Sequence, residues 1–93
     1  MASFQTLSRT VSVPAHLASP DVVRTVHAVA HATARALGGD VSGCASWADA
    51  AAYVVKVHII VDVPCSWTEQ DNAALLELLD DALLTVLKEA QCS

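Results

Sequence analysis

Aromatic side chains are nearly missing from this chain: Phe4, Trp47, Tyr53 and Trp67 are all that its 93 residues hold. Single-stranded nucleic acids are gripped by aromatic platforms set beside basic groups, and four scattered rings do not make one. Cations are scarce as well, five Lys and Arg against ten Asp and Glu, so direct nucleic-acid binding is not expected. Cysteine is limited to Cys44, Cys65 and Cys92, an odd number with no C-x-x-C pair, which argues against a disulfide framework and a zinc knuckle. The three glycines fall in "LGGDVSG", after a helical segment; a phosphate-binding loop precedes its helix, so Gly38-Gly39 reads as a helix stop. The longest apolar stretch, "AAAYVVKVHIIVDV", carries Lys56, His58 and Asp62 and is too short and too charged to span a bilayer. "MASFQTLSRT" lacks the apolar run of a secretory signal. No membrane association and a cytoplasmic, reducing location are therefore expected.

What the chain has in excess is aliphatic surface: 54% of its residues are hydrophobic, against about 45–50% with glycine included in ordinary domains. One domain over residues 1–93 is expected, and the surplus must be buried between helices and a sheet or against another chain. Gln5 to Val13 alternates as a strand, with Leu7, Val11 and Val13 on one side, until Pro14 ends it. Ser19, Pro20 and Asp21 form a helix start, and the helix is predicted to run to Leu37. Asp40 to Trp47 reads as a strand followed by a small-residue turn near Asp49. Tyr53 to Val63 is the clearest strand, with Tyr53, Val55, Val57, Ile59, Val61 and Val63 on one face. After Pro64, a capping box from Ser66 to Glu69 opens a second helix to about Ala90. The order strand, helix, strand, strand, helix predicts an α+β fold. It is a split β-α-β unit, a ferredoxin-like sheet lacking the last strand, with the third strand central and both helices on one face.

Charge is divided unevenly along the chain. From Asp62 onward seven carboxylates face Lys88 alone, and the second helix carries Glu77, Asp80 and Asp81 with Leu84 at their border. That surface matches a protein partner with a basic face. Leu75, Leu76, Leu78, Leu79, Leu83, Val86 and Leu87 spread over roughly half the circumference of the same helix, more than one sheet face requires, which points to self-association, as a dimer. In "RTVHAVAHATAR", Val22, Val26, Val29, Thr33 and Leu37 fall in one arc, read as the face toward the sheet. Arg24, His27, His31 and Arg35 fall opposite, as a solvent-facing stripe open to a partner. Two imidazoles four residues apart can clip a metal ion, but zinc normally takes three or four protein ligands. By strand parity His58 and Cys44 lie on the sheet face away from the helices and cannot join them within one chain. No metal or other cofactor is therefore expected.

No catalytic residues stand out. Asp80 and Asp81 are consecutive on a helix and point about 100° apart. Cys65 precedes a helix start, where a thiolate is favoured, but seven residues of strand place it roughly 23 Å from His58. The segment "YVVKVHIIVDVPCSWTEQDNAALLELLDDALLTVL" resembles the strand and helix of the cytoplasmic domains of cation diffusion facilitator transporters, in which a histidine-bearing strand precedes an acidic amphipathic helix. That resemblance implies a metal-responsive ferredoxin-like domain, binding a divalent metal through His27, His31 or His58 at a subunit interface. This chain departs from it by lacking the final strand and a second ligand cluster. As a short acidic α+β chain it is also similar to phage-encoded anti-CRISPR inhibitors, which act by covering a surface on a larger complex. The residues themselves lead to a non-enzymatic protein-protein interaction module, an inhibitor or an assembly subunit, acting through Glu77, Asp80, Asp81 and Leu84 and the stripe Arg24, His27, His31 and Arg35.

Overall fold

A computed structural model describes residues 3–92. The chain runs β1 (Phe4–Pro14), a 3-10 turn (Ala15–Leu17), α1 (Pro20–Leu37), β2 (Asp40–Asp49), β3 (Val54–Pro64) and α2 (Glu69–Cys92). β3 lies between β1 and β2 and is antiparallel to both, so this is an α+β fold with the expected strand order, consistent with a ferredoxin-like sheet without its last strand. Strand alternation builds the core: Val57, Ile59, Val61 and Val63 of β3 are fully buried beneath the helices. Val11 stands opposite Val57 and Leu7 opposite Val61, on the same face. α1 packs on β2 and β3, α2 packs on β1, and the helices lie side by side. Among the described residues no helix is long and apolar enough to cross a membrane.

The start and stop of α1 follow its sequence. Ser19 Oγ accepts from the Val22 N–H at 3.2 Å and Pro20 occupies the first helical position. Gly38 ends the helix at φ 98°, where a side chain would be strained. Gly39 follows in the core, where a Cβ would be crowded, 3.2 Å from Val61 Cγ1 and 3.3 Å from Val63 Cγ1.

Four local expectations are corrected. The arc of α1 that is fully buried holds Val26, Ala30 and Ala34. Of the expected stripe Val26 is fully buried and Val22 and Val29 pack on the core partly buried, while Leu37 is 42% exposed; its edge turns toward α2, where Val22 meets Val86 along one notch and Leu37 meets Trp67 and Ala74 along another. Alanines let α1 descend onto the sheet, so the bulkier residues end up in the seam between helices. In β2, Val41 pairs with Val61 but Gly43 pairs with Ile60, so Ser42 is an extra residue and the parity beyond it inverts. Cys44 therefore stands opposite Ile59 and packs on the core from the helix side, not on the open face. α2 opens one turn-residue pair later than expected, capped by Thr68 rather than Ser66: Thr68 Oγ1 accepts from the Asp71 N–H at 3.2 Å, and Asp71 Oδ2 accepts from the Thr68 N–H at 2.9 Å.

Tyr53, expected in the strand, is instead the last residue of the β2–β3 turn, at φ 56° and 79% exposed. Its carbonyl accepts from the Ala15 N–H at 2.9 Å, and Asp49 Oδ1 accepts from the Ala52 N–H at 3.4 Å, which together fix the turn. A left-handed conformation costs a non-glycine residue about 1–2 kcal/mol, and the exposed ring recovers little of it. Tyr53→Gly is expected to raise stability by up to ~1 kcal/mol after the entropy of the freer unfolded chain is subtracted, read as an increased urea midpoint. An unchanged or lowered midpoint would show that the ring contributes packing worth as much as the strain.

Candidate functional site

The helix layer presents a continuous surface on the side opposite the sheet. α2 turns Leu75, Leu79, Leu83 and Val86 into the core, and at 100° per residue this leaves Glu77, Asp81, Leu84 and Lys88 on the outward face. All four are exposed, Leu84 by 50%. Among the described residues Glu77, Asp81 and Lys88 make no ion pair. Asp80 differs: it points to the β1 edge, where its Oδ1 lies 3.0 Å from Arg9 Nε with both side chains partly exposed. The Nε is otherwise enclosed and the approach is off the N–H axis, so the contact is an ion pair without a well-aligned hydrogen bond. Of the acidic trio, then, two carboxylates face outward and one ties α2 to the sheet.

On α1 the polar stripe divides in the same way. Arg24, His31 and Arg35 are exposed. Arg24 makes one loose pair, 3.5 Å to Asp21, with both side chains more than three-quarters exposed, and Arg35 makes none among the described residues. His27 was expected with them on the solvent face. It is half-buried, because α1 is rotated toward its alanine face, and its Nε2 is enclosed without a hydrogen-bond partner. The two stripes share one layer but do not converge on a pocket. Between them runs the seam of the antiparallel helices: Asp21, Val22 and Thr25 face Val86, Glu89 and Ala90 at one end, and Leu37 faces Trp67, Asp71 and Ala74 at the other, each as an open notch. Leu78, 44% exposed, lies on this layer. Sequence reasoning missed its exposure, since it appears in the leucine count of α2 but turns away from the sheet once α1 is in place.

The far side of the sheet is a second surface of mixed character, with exposed Trp47 and half-buried Val54 and Ile60 among polar side chains. His58 is central on it, with its Nδ1 2.9 Å from Thr10 Oγ1 and the Trp47 ring 6.4 Å away, centroid to centroid. Thr6 Oγ1 donates to Asp62 Oδ1 at 3.2 Å, and Lys56 Nζ lies 3.8 Å from Asp49 Oδ2. His58 is thus separated from His27 and His31 by the thickness of the sheet. Among the described residues no three His, Cys, Asp or Glu side chains come together in a group able to hold a metal ion. Cys65 and Cys92 are exposed, while partial burial raises the pKa of the Cys44 thiol, an environment that disfavours the nucleophilic thiolate.

No protein-family model, no curated protein and no solved structure matches the chain.

Proposed function

We propose that the protein is a cytoplasmic, non-catalytic binding module for another protein, acting through the outward face of its helix layer as an inhibitor that covers a partner's surface or as an assembly subunit. One observation supports the reading above the rest: Glu77 and Asp81 stand unpaired among the described residues beside two half-exposed leucines, Leu78 and Leu84. Protein interfaces combine an apolar centre with a charged rim, the apolar part supplying affinity and the charges supplying steering and orientation. Arg24 and Arg35 add a rim of opposite sign on α1.

The test is a charge reversal that leaves the fold alone. Glu77→Lys with Asp81→Lys changes two exposed positions, and each surface substitution of this kind shifts stability by about 0.5 kcal/mol or less. Asp80 is left intact because of its pairing with Arg9. The double variant, immobilised and exposed to extract of the native cell, is expected to lose at least about 90% of partner capture, and the association rate of the wild type is expected to fall as salt rises. Undiminished capture by the folded variant would reduce the carboxylates to a means of keeping an apolar chain in solution.

A further inference from the structure

The helix layer carries both signs of charge, separated by the seam. Arg24, His31 and Arg35 lie on α1, Glu77 and Asp81 on α2, with the exposed alanines Ala28 and Ala32 and the exposed leucines Leu37 and Leu78 on the same layer. These charges are not spent on one another within the protomer: among the described residues no ion pair joins α1 to α2. We infer that the occupant of this surface is a second copy of the chain, related by a two-fold axis along the seam, so that α1 of each copy lies across α2 of the other. The inference rests on the reading of the helix layer as a protein-binding surface and names its partner.

The register follows from the two notches. Val22 neighbours Val86 and Leu37 neighbours Ala74, so the helices are antiparallel and level with each other. Rotation about the seam keeps each residue at its height along the layer while exchanging the helices. Arg35 then falls over the turn that holds Glu77, Arg24 over the turns between Asp81 and Lys88, and Lys88 over Asp21. Opposite charges meet toward the two ends, Arg35 with Glu77 and Asp21 with Lys88, and the symmetry doubles each meeting. An arrangement that set α1 on α1 would instead bring arginine to arginine. Ala28 and Ala32 provide a smooth strip on which the opposing Leu78 and Leu84 can settle. At 1.5 Å rise per residue and about 10 Å between helix axes, the layer offers a footprint of roughly 27 by 20 Å per copy. Two such footprints reach the lower end of the area that stable interfaces bury, about 1,000–1,200 Å².

Analytical ultracentrifugation of the full chain tests this with two variants: an acidic one, Arg24→Glu with Arg35→Glu, and a basic one, Glu77→Lys with Asp81→Lys. The wild type is expected to dimerise at micromolar concentration and to weaken with salt. Each variant alone is expected to lose about tenfold or more in dimer affinity, because both halves of the symmetric interface become like-charged. An equimolar mixture of the two is expected to form a one-to-one heterodimer within a few-fold of wild-type affinity, since the acidic α1 of one then meets the basic α2 of the other. Circular dichroism confirms that both variants are folded. A wild type that stays monomeric, variants that dimerise undiminished through a strand edge or the open sheet face, or a mixture that fails to pair would each overturn the inference. The two readings fail separately: a monomer that still captures a foreign protein through Glu77 and Asp81 removes the second copy and keeps the binding surface. A charge-paired dimer whose basic variant captures a foreign protein undiminished keeps the second copy and places that other partner elsewhere.

Discussion

Replacing Leu79 by alanine is expected to cost about 2–5 kcal/mol, the range for deleting three buried carbons where the surroundings only partly collapse. Leu79 is fully buried near the middle of α2, between Leu75 and Leu83, which are buried with it. The loss is large against the stability available. A domain of this size has on the order of 5–14 kcal/mol in total, so the thermal midpoint should drop by roughly 8–40 °C at about 4–8 °C per kcal/mol. Leu84→Ala is the matched control on the same helix. Half-exposed Leu84 should lose about 0.5 kcal/mol or less in the isolated chain, whereas partner binding should suffer if the helix layer is the interface. A Leu79 variant within 1 kcal/mol of wild type in urea denaturation would mean that α2 is not seated as described.

The fold was legible wherever one physical signal acted alone. β1 and β3 show a period of two because each has a helix-covered face and a solvated one, and their pairing, Leu7 with Val61 and Val11 with Val57, joins the two aliphatic rows. Helix ends were legible at α1, where Ser19 and Gly38 act locally. They were less so at α2, because Ser66 and Thr68 offer competing hydroxyls and only the position of Asp71 relative to Thr68 selects between them. What pattern could not supply were contacts between distant elements. The bulge at Ser42 inverts the face of Cys44; Gly43 beside it is the one local signal of an extra position, and it does not say on which side of it the parity changes. Asp80 belongs to Arg9, 71 residues earlier, a pairing set by how α2 lies on β1. The outward charges Arg24, Arg35, Glu77 and Asp81 were legible because an ionised side chain without a partner must stay in water. His27 departs from that pattern because the rotation of α1 toward its alanine face draws it half into the structure.

The orientation of α1 yields the second large effect. Hydrophobicity ranks valine above alanine, so a 3.6-residue pattern points to Val22, Val26, Val29, Thr33 and Leu37 as the buried face, of which only Val26 is fully buried. How closely a helix can approach a sheet is instead set by volume, and the fully buried positions Ala30 and Ala34 are small. The two orientations make opposite forecasts for one substitution. At 100° per residue Ala34 lies roughly 100° from the middle of the valine stripe, at its flank, where leucine would be tolerated at the edge of the buried face. In the structure Ala34 has no exposed area, and its carbonyl accepts from the Gly39 N–H at 2.9 Å. Beyond that bond Gly39 is already packed against Val61 and Val63. Three added carbons have nowhere to go without lifting α1 from the sheet, so Ala34→Leu is expected to cost about 1–3 kcal/mol. Leu37→Ala, at a 42% exposed site, should cost much less. Because the lift would also raise Arg24, His31 and Arg35 out of level with Glu77 and Asp81, dimer affinity should fall even in preparations of Ala34→Leu that remain fully folded. A variant as stable as wild type would return α1 to the orientation that its valines suggest and take the level register of the two charged stripes with it.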